Sequence, residues 1–69
     1  MGNRIPRGFH CIIAEQLTDT NAGKRGDAWF ITKDAFGNLI GTHCGTGREW
    51  LMCIGHLRNE HFYRIHKIA

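Results

Sequence analysis

The sequence of 69 residues contains no Ser and no Val, and it contains one Pro. The absence of Ser excludes a serine nucleophile in this chain. No apolar run is long enough to cross a bilayer, and no stretch has the pattern of a signal-peptide hydrophobic region. We therefore expect a cytoplasmic protein without a membrane partner, in which the three Cys residues stay reduced and behave as small apolar residues.

The apolar content is sufficient for one small folded domain. Hydrophobic residues make up 42% of the chain, among them four Phe and two Trp. A chain of this length buries a small core, so stability is expected to be marginal. Residues 1–8 are basic and lack periodicity, which predicts a flexible basic arm before a single domain over residues 9–69. The net charge of +3 is compatible with phosphate binding but does not require it.

The clearest local signal is a β-hairpin over residues 28–44. Ala28 to Lys33 forms one predicted strand, and Asn38 to Cys44 forms the next. Asp34-Ala35-Phe36-Gly37 fits a type I turn in which Gly37 takes the left-handed position. Further strands are predicted over residues 9–16 and 62–68, with a long loop over 17–27 and a Gly-rich turn over 45–48.

The segment over residues 47–58 has two interpretations. As a strand it continues the meander as far as Gly55. As a helix it begins with Thr46 and Glu49 in a capping-box pattern, with Trp50 and Leu57 among the residues at helical spacing. Gly55 would cost the helix about 1 kcal/mol relative to Ala. We favour the strand and therefore predict an all-β protein, with an α+β fold as the alternative.

The order of these elements resembles that of SH3-like barrels. In those folds a long loop precedes the second strand, tight hairpins follow, and a single helical turn leads into the last strand. Residues 24–27, Lys-Arg-Gly-Asp, are similar to the turn that often opens the second strand there. The resemblance covers residues 8–68 and implies a small five-stranded antiparallel barrel. The aromatic and Pro-binding signatures of SH3 domains are missing, so it implies no recognition of Pro-rich peptides.

The three Cys and five His residues could carry two kinds of chemistry. A structural zinc site would draw on Cys11, Cys44, Cys53 and His56, and Cys44 and Cys53 could face each other across a hairpin. Cys53 and His56 have the spacing of one half of a zinc site, but no Cys-x-x-Cys pair supplies the other half. We therefore predict no cofactor and keep zinc as the less favoured alternative. A catalytic thiol is not expected, because neighbouring His and Cys residues on a strand point to opposite faces. We predict a protein that is not an enzyme.

Basic residues near aromatic ones indicate nucleic-acid binding. Binders of single strands combine a basic groove with exposed rings on which bases stack. We expect Phe36 and Tyr63 to be such exposed rings, whereas Trp29, Trp50 and Phe30 are expected in the core. The predicted interface, for nucleic acid or another partner, comprises Lys24, Arg25, Phe36, Arg48, Tyr63, Arg64, His66 and Lys67.

The alternative is a protein-binding regulatory module. Phe36 would then anchor the hairpin tip in a pocket of the partner, and the protein would modulate or inhibit a host macromolecule. Pairing along an edge strand, including formation of a homo-oligomer, is a second route to a protein partner.

Overall fold

The computed structural model describes residues 2–69 and consists mainly of β-strand. The elements are β1 (Ile12–Gln16), β2 (Ala28–Lys33), β3 (Leu39–His43), β4 (Glu49–Met52), a short helix α1 (Ile54–Arg58) and β5 (Tyr63–Ile68). The five strands form one antiparallel sheet in the order β4-β3-β2-β1-β5. The predicted small all-β fold with five antiparallel strands is confirmed.

The β2–β3 hairpin follows from local sequence. Asp34 Oδ1 accepts hydrogen bonds from the backbone N–H groups of Phe36 and Asn38, and Gly37 adopts a φ of 84°. That conformation is strained for residues with a Cβ atom, which explains the Gly at this position. The turn sets the register, in which Lys33 pairs with Leu39 and Trp29 with His43.

Period-two alternation along the strands builds the core. In β2 the side chains of Trp29 and Ile31 are fully buried, whereas Phe30 between them is 47% exposed. The core comprises Phe9, Ile12, Ala14, Ala22, Trp29, Ile31, Leu39, Met52, Leu57 and Tyr63. The prediction that Phe30 and Trp50 lie in the core is wrong, since Trp50 is 38% exposed. Adjacent strand residues face opposite sides, so Trp29 and Phe30 cannot both point inward.

The edge strands β4 and β5 approach each other through side chains. The hydroxyl of Tyr63 donates a hydrogen bond to Met52 Sδ at 3.7 Å, and both residues are buried. Burial raises the pKa of Tyr63, which favours the protonated donor. The prediction that Tyr63 is an exposed ring is therefore wrong. As the first residue of β5, it points into the core.

The segment over residues 47–58 contains both a strand and a helix. Residues 49–52 pair with β3, from Thr42 opposite Glu49 to Leu39 opposite Met52, so the alternative of a helix over the whole segment is wrong. Gly47 closes the preceding turn with a φ of 74°. The one-turn helix α1 then buries Leu57 against the barrel. Within residues 2–69 no helix is long and apolar enough to cross a membrane.

The described part of the N-terminal arm, residues 2–8, lies against the barrel. Asn3 Nδ2 donates hydrogen bonds to the carbonyl oxygens of Leu57 at 3.0 Å and Tyr63 at 2.9 Å. Ile5 packs against the core. The predicted arm begins at Met1, which lies outside the described residues, and the flexibility of the arm stays a prediction.

Candidate nucleic-acid interface

The residues predicted to form one interface lie at opposite ends of the sheet. The strand registers place the β2–β3 turn, which carries Phe36, at one end. The loop between β1 and β2, residues 17–27, carries Lys24 and Arg25 and is called the first loop. It lies at the other end, together with the β3–β4 turn that carries Arg48. Phe36 therefore does not join these three basic residues in one surface.

Arg48 is held by the protein itself. Its guanidinium donates a hydrogen bond to the carbonyl oxygen of Ala22 and lies 5.9 Å from the centre of the Trp29 ring. It thereby ties the β3–β4 turn to the first loop.

The first loop also carries negative charge beside its basic residues. Asp27 Oδ2 accepts a 2.9 Å hydrogen bond from the backbone N–H of Lys24 and lies 3.2 Å from His43 Nε2. The hydrogen bond from Lys24 is the main cause that lowers the pKa of Asp27, with His43 contributing less. Asp19 accepts a hydrogen bond from the backbone N–H of Arg25. The loop is therefore a mixed-charge surface.

The basic residues of β5 also lie near an acid. Glu15 Oε1 is 3.7 Å from Arg64 Nη1 and 3.0 Å from His66 Nε2, so Arg64 and His66 are brought together around one carboxylate. Lys67 is opposite Ile13 on β1. This part of the predicted interface is exposed, but Glu15 offsets part of its positive charge.

A different group of basic residues lines a groove at the Phe36 end. We call it the basic groove, with a volume of about 210 Å³, formed by the N-terminal arm, the ends of β2 and β3, and α1. Its charged lining residues are Arg7, Lys33 and Arg58, and no Asp or Glu of the described part of the chain lines it. Apolar side chains complete the wall: Ile5, Phe9, Leu39 and Ile54.

The position of Lys33 is fixed by two interactions. Its Nζ lies 4.3 Å above the centre of the Phe9 ring and donates a hydrogen bond to the carbonyl oxygen of Arg7. Lys33 remains exposed as a residue, and the Phe9 ring beneath its cation also lines the groove. Lys33 therefore joins the arm to the end of β2.

Phe36 lies beside this groove and is 91% exposed. The neighbouring Gly37 lines the groove, so the hairpin tip forms one of its borders. Asp34 Oδ1 holds the turn through the N–H groups of Phe36 and Asn38, and the hydrogen bond from Asn38 is the main cause that lowers the pKa of Asp34. The ring is thus presented to solvent on a defined turn.

The interface predicted from the sequence does not include the three basic residues that line the groove, Arg7, Lys33 and Arg58. The sequence predicts that Arg7 belongs to a flexible arm, whereas the contacts that dock the arm join residues 54 and 60 positions apart. The position of Lys33 can be found from the sequence, because Lys33 directly precedes the turn that carries Phe36 and must therefore lie near it. Nothing in the sequence near Arg58 indicates that it lies beside the arm.

The alternative zinc site is not assembled. Among residues 2–69 no three His, Cys, Asp or Glu side chains are grouped as metal ligands. Cys44 follows β3 at the β3–β4 turn, whereas Cys53 follows β4 at the other end of the same hairpin, so the two do not face each other. Cys11 and His56 therefore do not complete a site with them.

Comparison of the chain with protein-family models, curated proteins and solved structures gives no match.

Proposed function

We propose that this protein is a small non-catalytic module that binds single-stranded nucleic acid at the basic groove. One observation carries the proposal: three basic side chains, Arg7, Lys33 and Arg58, line a groove without an acidic one. Phosphates would bind to these cations, and a base would stack on Phe36 at the border of the groove. Exposed rings beside a basic groove are the features with which single-strand binders act without sequence preference.

Two variants of equal charge test the groove. In the first, Arg7, Lys33 and Arg58 are each replaced by Gln. In the second, Lys24, Arg25 and Arg64 are replaced by Gln, which removes the same charge from the interface that the sequence predicts. The probe is a fluorescein-labelled thymidine oligonucleotide, and its anisotropy is measured over a series of salt concentrations.

The groove variant is expected to bind more weakly and to lose salt dependence. Each lost phosphate contact makes the fall of log K with log salt less steep by about 0.7. The loss of three contacts should therefore make the slope less steep by about 2. The control variant should keep most of the wild-type slope. Equal losses in both would indicate a response to net charge alone, and a larger loss in the control would place binding at the sequence-predicted residues. Affinity that does not respond to salt would exclude the proposal.

A protein partner is the second candidate function. It is favoured by the exposure of Phe36 on a turn whose backbone is fixed by Asp34. A rigid, exposed aromatic side chain is a typical anchor for a pocket in another protein. In this case the module would regulate its partner, and the complex would depend on Phe36 while responding weakly to salt.

A further inference from the structure

We infer a second binding site, at the open side of β4, for an extended peptide segment with uncharged apolar side chains. It lies in the seam between the edge strands β4 and β5, and it differs from the basic groove in both lining and charge. Two features of the structure support it: unpaired backbone groups on one strand, and an uncharged aromatic groove beside that strand.

The backbone pattern of β4 leaves two residues with outward hydrogen-bonding groups. Alternate residues of an antiparallel strand bond to the same neighbour. His43 N–H donates to the carbonyl oxygen of Arg48, and Gly41 pairs with Trp50, so Arg48, Trp50 and Met52 direct their backbone groups toward β3. The N–H and C=O groups of Glu49 and Leu51 therefore point to the open side, where no strand within residues 2–69 neighbours β4.

The two edges of the sheet differ in how well they are protected. Edge strands are commonly blocked by charged residues, Pro or irregular pairing. β5 contains Arg64 and Lys67, and its pairing with β1 has a register shift. β4 contains one charged residue, Glu49, and no Pro, and Leu51 is 67% exposed. The open side of β4 is thus the edge of the sheet that would accept a further strand.

The seam groove lies next to this edge and has a volume of about 350 Å³. Its lining includes Trp50, Met52, Cys53, His56, Phe62 and Tyr63, and among the residues that the structure describes no Asp, Glu, Lys or Arg contributes to it. His56 and Phe62 meet edge to face, with ring centres 5.4 Å apart. A groove that offers no Asp, Glu, Lys or Arg side chain as a partner selects against charged side chains, because a charge placed there would be desolvated without compensation.

The two features select one kind of occupant. The outward groups of Glu49 and Leu51 require an extended backbone, as in the addition of a strand to a sheet edge. Alternate side chains of that strand would point to the face on which Trp50 and Met52 lie, toward the seam groove. The occupant is therefore a segment of a protein partner in β conformation, with uncharged apolar residues at alternate positions.

Three short capped peptides of equal length test the site. The first alternates Thr and Val, the second replaces each Val by Lys, and the third keeps Thr and Val but carries N-methyl groups on its central amides. The amide resonances of Glu49 and Leu51 and the fluorescence of Trp50 report on binding. The first peptide is expected to bind at least tenfold more tightly than the other two.

Protein variants provide the matched control. Trp50→Ala should weaken binding of the first peptide at least tenfold, whereas Phe30→Ala, which removes a comparably exposed ring from the outer face, should not. The circular dichroism spectrum and the unfolding midpoint in urea show that each variant is folded. The inference is overturned if the first peptide does not bind, if all three peptides bind equally, or if Trp50→Ala has no effect. It is also overturned if the peptide-free protein sediments as a dimer that Trp50→Ala dissociates, because the occupant is then a second copy of the chain.

Discussion

The indole N–H of Trp29 donates a 3.0 Å hydrogen bond to Oε1 of Gln16, and both side chains are fully buried. The same Gln16 places its Nε2 within hydrogen-bonding distance of three acceptors in the first loop: Thr18 O, Thr20 Oγ1 and Gly23 O. One buried amide therefore joins the largest core side chain to the longest loop. Buried polar groups stabilise a fold only when they are satisfied, as this one is.

Gln16→Ala is expected to destabilise the protein by about 2 to 4 kcal/mol, because it leaves the Trp29 N–H without an acceptor and releases the first loop. Urea denaturation monitored by Trp fluorescence measures the change. Asn21→Ala, at an exposed position in the same loop, is the control and should change stability by less than about 0.5 kcal/mol.

A double-mutant cycle tests the Gln16–Trp29 pair directly. Trp29→Phe removes the indole N–H, so Gln16→Ala should cost less in that background than in the wild type. Equal costs in both backgrounds would show that the hydrogen bond contributes nothing and that Gln16 acts through the loop alone.

Gly41→Ala is expected to destabilise the core by about 1 to 3 kcal/mol through overpacking. A Cβ at this position would lie 2.4 Å from Met52 Cε, which is the flexible end of that side chain, but also 3.0 Å from Met52 Cγ and 3.1 Å from Trp29 Cε3. Thermal unfolding measures the effect. In a Met52→Ala background the same substitution should cost less, because the nearest atoms are gone, and an unchanged cost would contradict a steric origin.

Stability is expected to fall at acid pH partly through Asp34. Its pKa in the folded protein lies below the ordinary value of 3.8, mainly because the Asn38 N–H donates to the carboxylate. A lowered folded-state pKa contributes stability that is present above the unfolded-state value and is lost as pH falls through the folded-state value. Unfolding measured from neutral pH to below 3.8 should therefore show a steeper decline for the wild type than for Asp34→Asn. Parallel profiles would exclude this contribution.

The accuracy of the sequence-based predictions depends on how local their causes are. The β2–β3 hairpin could be predicted because Asp34 and Gly37 define the turn and alternation defines the strands. The size of its ring predicts that Phe30 lies in the core, but its position next to Trp29 requires it to face the opposite side of the sheet. The alternation of side chains along a strand is a property of the backbone, and it predicts burial here better than the size of the ring does.

The candidate site was harder to predict because it depends on distant contacts. Phe36 is exposed on a turn, as its position in the sequence indicates. Arg7 and Arg58 line the basic groove only after the arm docks through Asn3, whose partners Leu57 and Tyr63 are 54 and 60 residues away. A contact between residues so far apart produces no periodic pattern in the sequence from which it could be predicted. The predicted interface therefore included the exposed ring but not the basic residues beside it.

Phe36→Ala is expected to weaken binding of the thymidine oligonucleotide without changing stability. Stacking of one base on an aromatic side chain contributes about 1 to 3 kcal/mol, which corresponds to an affinity loss of about 5- to 150-fold. The ring is 91% exposed, so its removal should leave the unfolding midpoint in urea nearly unchanged. Phe30→Ala is the control for a general effect of an exposed ring and should keep wild-type affinity. If Phe36→Ala binds as tightly as the wild type, the hairpin tip is not part of the interface, and binding at the basic groove would depend on its cations alone.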